Sequence, residues 1–371
     1  MNVDTSPPRR HHFRLSALFQ RTGKDSSYVL GVLAITLLLF TFPALMPTSG
    51  LAAKPLAADL VEDGQLIDLS SERYTILFKE LQDEYQFNQD ELASLFTGVA
   101  IKKRVLELMD RQWEAKPYYK YRPLFITSTT IAKGKKKLKE HEELLTRIEA
   151  RFGVDREVVI AIWGIESRFG THSGSFPVFE TLNTLFDAYP RRSSFFRKQL
   201  VHFLLLCREN KIDPLSVKGS YAGAFGQPQF IPSSFREYAV SFDDDQLRDV
   251  FNSTEDILAS IANYLRRFHW TLNGTIYVDI GPELKGQELI SANLKGRKGK
   301  VEYQVVGDAQ GLSLPVPPDN RKLTIVGLER APSDGGGYRY VAGYPNFQAI
   351  TEWNHSNRYA MAVTELAEAI K

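Results

Sequence analysis

A mainly helical (α+β) chain with a small β-containing insertion is the fold class that three features of the sequence predict. Apolar residues recur at helical spacing through most of residues 73–270. Three short runs rich in β-branched and aromatic residues, 275–280, 322–326 and 338–342, break that pattern between Gly274 and Tyr344. Helical spacing then returns over 359–370.

Residues 1–53 read as a signal peptide or membrane anchor. Arg9, Arg10, Arg14, Arg21 and Lys24 precede an apolar run over 28–46, and Pro47-Thr-Ser-Gly-Leu-Ala-Ala53 follows it. The run is about 19 residues, long for a signal core and enough to span a bilayer. Cleavage after Ala53 and anchoring in the inner membrane both stay open. Either way the basic residues stay inside and the remainder is exported, which implies a periplasmic, cell-envelope location. No cysteine sits close behind the run, so a lipoprotein anchor is excluded. Residues 54–72 read as a linker.

Residues 73–150 form a helical subdomain. Tyr74, Ile76, Leu77, Leu81 and Tyr85 make one stripe; Val105, Leu106 and Leu108 make another. The run Lys133-Gly-Lys-Lys-Lys-Leu-Lys139 reads as a solvated helix face in preference to an anion-binding patch. A helix over 139–152 leads through Gly153-Val-Asp155, with Asp155 as N-cap, into the next helix.

Residues 151–273 form the core unit, and Ala161-Ile-Trp-Gly-Ile-Glu-Ser-Arg-Phe-Gly170 carries its sharpest signal. On a helix the neighbours of Glu166 lie three and four residues away. They are Ile162, Trp163, Phe169 and Gly170, all uncharged. Desolvation penalises the charged form of a carboxyl in such a setting and raises its pKa. The result is a proton donor near neutral pH, as a glycosidic general acid requires. Gly164 costs about 1 kcal/mol relative to Ala in mid-helix, which marks a close approach to the backbone. Gly170 reads as the C-terminal cap. The plain alternative is an exposed or backbone-bonded glutamate.

A buried helix over 193–208 contains His202, read as a satisfied core histidine, and Cys207, read as a small apolar filler. The glycine-rich stretch 218–235 carries Ser220, Tyr221, Gln227, Gln229 and Phe230, a mixture of polar and aromatic groups that suits a sugar cleft. A helix over 254–268 has Ile257, Ile261, Leu265 and Phe268 on one stripe, with Tyr264 beside it. The β-containing insertion spans 274–344, and 345–371 returns to the core. With 46 basic and 44 acidic residues, the charge balance gives no case for nucleic acid. One cysteine cannot form an internal disulfide. No zinc-type histidine spacing, serine nucleophile elbow or phosphate-binding loop occurs.

Glu166 in Ile-Glu-Ser-Arg-Phe-Gly170, Gly223-Ala-Phe-Gly226, Gln229-Phe-Ile-Pro-Ser233 and Asn354-His-Ser-Asn-Arg-Tyr-Ala-Met-Ala-Val363 together resemble the membrane-bound lytic murein transglycosylase B family. The resemblance runs in order from residue 73 onward. It implies a lysozyme-like helical catalytic core, a helical N-terminal subdomain and a small β-insertion. It implies cleavage of the β-1,4 bond between N-acetylmuramic acid and N-acetylglucosamine in peptidoglycan glycan strands, with a 1,6-anhydromuramoyl product. Where most glycosidases use two carboxylates, the resemblance implies one, Glu166, acting first as acid and then as base. Glu180 and Asp187 are near in sequence, but nothing in their spacing marks them as a second acid.

By motif position Ser220, Gln229, Tyr264, Asn354 and Tyr359 are candidate sugar contacts, and Tyr264 reads equally as core. Arg191 and Arg192 are candidates for peptide or muramoyl carboxylates, with surface charge as an equal reading. The sequence departs from the family pattern at Gln227-Pro228, where an aromatic and a glycine are expected, and at Trp353, where a tyrosine is usual. The resemblance also implies an EF-hand-like calcium loop over 241–252, with Ser241, Asp243, Asp245, Leu247 through its carbonyl, and Asp249 as ligands. Gln246 stands where the turn wants glycine and Asn252 where a bidentate acid belongs, so calcium binding would be weak and an acidic surface loop is the favoured reading. No cofactor is required, and a monomer is expected. Two rivals remain: a hydrolytic muramidase of the same fold, and a non-catalytic peptidoglycan-binding envelope protein.

Overall fold

The helix that carries Glu166, Arg156–Ser167, lies at the centre of the packing. Val158 to Trp163 are all at most 3% exposed, so the helix is apolar on every side, as a central helix must be. It packs on helices Ser128–Glu140, Glu142–Phe152, Thr254–Arg267 and the C-terminal helix Asn357–Ile370. The computed structural model describes residues 56–110, 116–243 and 245–371. The signal or anchor reading of 1–53 lies outside those residues, and among the described ones no helix is long and apolar enough to cross a membrane.

The expected linker packs instead of hanging free. Ala57, Ala58 and Ile67 are buried in the main core, and Ile67 and Gly64 bond backbone to backbone with Val99 and Ile101. The first helix is Glu72–Asp83, with Tyr74, Leu77 and Leu81 fully buried, while Ile76 turns out to be half exposed. The expected helix over 139–152 is broken. Helix Ser128–Glu140 ends at His141, and Glu142–Phe152 starts a new direction. The lysine run is mostly solvated, as read, but Gly134 sits against Ile370, where a Cβ would meet a methyl at 2.6 Å.

Two short strands, β1 (Phe176–Pro177) and β2 (Lys218–Gly219), pair antiparallel beside the glycine-rich stretch. The insertion holds a second sheet of β3 (Tyr277–Gly281), β4 (Lys300–Val301), β5 (Leu323–Glu329) and β6 (Tyr338–Gly343). Its order is β3-β6-β5-β4, antiparallel throughout. Alternation along β5 divides its side chains between two faces. Leu323 and Ile325 join a small core with Leu289, Val301 and Val306; Val326 and Leu328 join the main core. The sequence pattern misses β4 and the helices Gln287–Leu294 and Tyr303–Gln310, which are too short to show a period.

Candidate active site

The Glu166 helix ends earlier than the sequence suggests. Arg168, Phe169 and Gly170 all take left-handed backbone angles, with φ of 52°, 59° and 83°. Ser167 stabilises the turn: its Oγ accepts the Gly170 N–H at 3.1 Å and its carbonyl accepts the His172 N–H at 2.9 Å. The turn folds Phe169 back over its own helix. A Cβ on Gly164 would lie 2.7 Å from the Phe169 ring, so Gly164 admits that ring. Asp155 occupies the N-cap position without capping. Its carboxylate accepts the Trp270 indole N–H at 2.7 Å and the Asn273 N–H at 3.2 Å.

Glu166 is partly buried and lines a depression of about 420 Å³ together with Thr127, Thr130, Lys133, Arg168 and His172. Its Oε1 accepts a hydrogen bond from the Tyr359 hydroxyl at 2.5 Å. Burial pushes its pKa up to about 7; hydrogen bonds from Tyr359 and Trp353 oppose the rise without cancelling it. Lys133 and Arg168 share the depression, but neither is ion-paired with Glu166. Tyr359 is itself 1% exposed, and its pKa lies well above the usual phenol value, first through burial and then through the Glu166 charge. It therefore stays a hydrogen-bond donor.

A second depression, of about 520 Å³, has Trp353 in its wall, the residue whose indole acts on the Glu166 carboxyl. Arg192, Gln229, Phe230, Tyr264, Trp353 and Asn354 line this depression. Trp353 packs tilted against Tyr264 and Phe230, 4.5 and 5.2 Å between ring centres, which makes one wall an aromatic panel. Flat apolar rings opposite polar amides are what a sugar's C–H faces and hydroxyls need.

The sequence candidates divide. Gln229, Tyr264, Asn354, Tyr359 and Arg192 gather around the groove. Tyr264 is a wall and not a hydroxyl donor to the groove, because its O–H is spent on the Glu352 carbonyl at 2.7 Å. Gln229 adopts φ 53° and gives its amide N–H groups to the Ser173 and Gly226 carbonyls, which leaves its oxygen free of those bonds. Ser220 does not line either depression; its Oγ accepts the Ala222 and Ala224 N–H groups at 3.3 and 3.1 Å and shapes the loop. Arg191 turns away to pair with Asp110 at 2.8 Å, while Arg192 stacks on Phe195. Glu180 pairs with Lys102 at 2.9 Å and Asp187 with Arg73 at 3.5 Å, so neither serves as a second acid.

The two departures from the family pattern have structural roles. Gln227 accepts the Trp163 indole N–H at 2.7 Å and donates to the Phe251 carbonyl at 2.7 Å, packing over Gly170, where no Cβ would fit. Trp353 places its indole where it favours the ionised form of Glu166 and packs against Tyr264 and Phe230. Sequence reasoning missed the action of Trp353 on Glu166 and the wall residue Tyr238, whereas Phe230, expected in a sugar cleft, lines the groove. His202 is half-buried and bonds Arg236 at 3.0 Å, and Cys207 is buried.

Among the described residues, the acidic side chains of the loop after Ser241 bond to the loop itself. Gln246, with φ 68°, does adopt the left-handed angle that the glycine of a calcium loop would take. Yet Asp249 Oδ1 accepts the Phe251 and Asn252 N–H groups at 2.8 and 2.9 Å, and its Oδ2 accepts the Asn252 side-chain amide at 3.2 Å. Asp243 Oδ2 accepts from Ser253 at 3.0 Å, and Asp245 Oδ1 accepts the Leu247 N–H at 2.8 Å. These oxygens are turned onto the loop's own donors, and among the described residues no group of three acidic, histidine or cysteine side chains could hold a metal ion. Asp256 closes the loop instead. It is fully buried and accepts the Phe242 and Asp249 N–H groups at 2.7 and 2.8 Å.

The sequence pattern of the transglycosylase SLT domain matches residues 70–368. The chain is 32% identical over 302 residues to membrane-bound lytic murein transglycosylase B of Escherichia coli, covering 78% of this chain and 80% of that one. Its fold is similar to that of the soluble lytic transglycosylase SltB1 of Pseudomonas aeruginosa, with TM-score 0.73, 36% identity, and 81% of this chain and 98% of that chain covered. A lytic transglycosylase of Escherichia coli solved in complex with calcium gives TM-score 0.71 at 32% identity, covering 84% and 96%.

Proposed function

The chain belongs to the transglycosylase SLT domain family, and from that membership we propose that it is a peptidoglycan lytic transglycosylase with Glu166 as its one catalytic acid and base. The observation that carries the reading is a carboxyl raised by burial to about 7 that lines an open depression, with Glu352, held by Arg297, the one other carboxylate among the described residues lining that depression or the one walled by Trp353. Near neutral pH such a group is populated in both protonation states, as one residue with two tasks requires.

Glu166, protonated, gives its proton to the glycosidic oxygen as the C1–O bond breaks. The ionised carboxylate then faces the positive charge at the anomeric carbon. It takes the proton of the C6 hydroxyl of the same muramoyl residue as that oxygen bonds to C1. No water is consumed, the proton returns to Glu166, and the 1,6-anhydro end results. The proton balance closes on one residue without a cofactor. Tyr359 and Trp353 orient the carboxyl and stabilise its ionised state. The panel of Phe230, Tyr264 and Trp353 holds a sugar face, and Arg192 and Asn354 supply polar contacts at the rim. The relatives' names support a cell-envelope setting, in keeping with residues 1–53 read as an export or anchoring segment.

The test is Glu166→Gln. Turnover of purified peptidoglycan should fall by at least about 10³-fold with glycan binding kept, since general acid–base catalysis is typically worth 10²–10⁴-fold and both roles go together. Continued cleavage by this variant would remove Glu166 from the proposal.

A further inference from the structure

We propose that the β-insertion is a positioning device for the acid: its ion pairs hold the chain neighbours of Tyr359, which hydrogen-bonds Glu166, and of Trp353, the aromatic wall residue. The proposal rests on Glu166 being the acid of the reading above. Tyr359 donates to Glu166 at 2.5 Å and the Trp353 indole favours its ionised form, and each adjoins a charged residue gripped by the insertion. Glu352, next to Trp353, pairs with Arg297 at 2.8 Å, and Arg297 also donates to the Thr351 carbonyl at 3.2 Å. Arg358, next to Tyr359, pairs with Glu329 at 2.5 Å. The other oxygen of Glu329 accepts the Tyr118 N–H at 2.9 Å, which fixes the carboxylate itself.

Arg297 lies in the short turn Gly296–Lys298 and Glu329 ends β5, so two separate elements of the insertion reach the two residues. The grip continues along the C-terminal helix. Arg339 on β6 pairs with Glu365 at 2.9 Å, and the Tyr277 hydroxyl on β3 meets Glu368 at 3.3 Å. Arg297–Glu352 and Glu329–Arg358 are both partly solvated, so each adds little to stability. What they supply is placement. A hydrogen bond weakens steeply once its angle closes, and a donor that drifts by an ångström leaves the carboxylate to burial alone. The insertion thus sets both where the acid points and how readily it ionises.

The test uses the full chain with ¹³C-labelled glutamate, the Glu166 signal being assigned by its loss in Glu166→Gln. Glu329→Gln and Arg297→Gln should each move the Glu166 titration upward by roughly 0.5–1 pH unit, because donors that favour the carboxylate have been loosened. The midpoint of thermal unfolding should move by less than about 4 °C, the shift that ~1 kcal/mol produces at most in a domain of this size. On purified peptidoglycan kcat should fall roughly 10-fold at constant KM, and the alkaline limb of the pH profile should rise with the titration. An unshifted titration in either variant, or lost kcat with an unmoved alkaline limb, overturns the proposal. The titration needs no turnover. Failure of the functional reading shows separately, as wild-type protein that makes no anhydro product.

Discussion

Two carboxyls raised by burial, partly buried Glu166 at the groove and fully buried Asp256 under the acidic loop, have the same electrostatic origin and opposite uses. Burial raises both, Glu166 to about 7 and Asp256 to about 6. Asp256 sits 0% exposed with both oxygens committed to backbone N–H groups. Glu166 accepts from the Tyr359 hydroxyl and still lines open space. A raised pKa therefore does not by itself identify a catalytic group; an open side and a carboxylate not wholly committed to backbone donors do.

The largest effect that would break this contrast is on catalysis. Glu166→Gln should abolish turnover, whereas Asp256→Asn should leave the folded enzyme's kcat within about 3-fold of wild type, since Asp256 touches no groove; assays of purified, folded protein on peptidoglycan compare the two. Tyr359→Phe comes next. It removes one donor to Glu166 and should lower kcat roughly 10- to 100-fold while raising the pH at which activity falls, measured as the alkaline limb of the rate profile.

Stability sharpens the contrast from the other side. Asp256→Asn replaces an acceptor oxygen with an amide donor facing a backbone N–H, so chemical denaturation should show a loss of about 1–3 kcal/mol. The pH dependence has one sign for both groups. Each carboxyl binds its proton more tightly in the folded chain than in the unfolded one, so the folded state holds more protons between the ordinary carboxylate range and the raised value. Stability is then greatest below that range and declines as pH rises toward about 6 for Asp256 and about 7 for Glu166. Glu166→Gln should accordingly raise stability at pH 8 by roughly 1–3 kcal/mol and leave it nearly unchanged at pH 4. The smallest effect concerns calcium: adding it or a chelator should shift thermal unfolding by less than about 1 °C, because the acidic oxygens are already satisfied within the loop. A shift of several degrees would show that the loop rearranges around the ion.

Glu166 was readable because helical spacing alone decides which residues surround it. Asn354 and Tyr359 came from resemblance. What stayed hidden depends on contacts distant in sequence. The action of Trp353 on Glu166 and the two grips by Arg297 and Glu329 join segments that no local period connects. Arg191 and Arg192 show the limit at its closest: adjacent residues in the turn Pro190–Arg192 leave on different sides, one to Asp110 and one to the groove. The helix break at His141 and the early end at Arg168 escaped because neither carries the glycine or proline that marks a stop. Arg168 and Phe169 hold angles that glycine favours, and Ser167 with the Phe169 ring stabilises them.

The most direct measurement is digestion of peptidoglycan in ¹⁸O-labelled water, followed by mass spectrometry of the muramoyl ends. A single proton-shuttling carboxyl with ring closure by the sugar's own hydroxyl predicts products one water lighter than hydrolysis gives, with no label. Labelled reducing ends at full hydrolytic mass would contradict it.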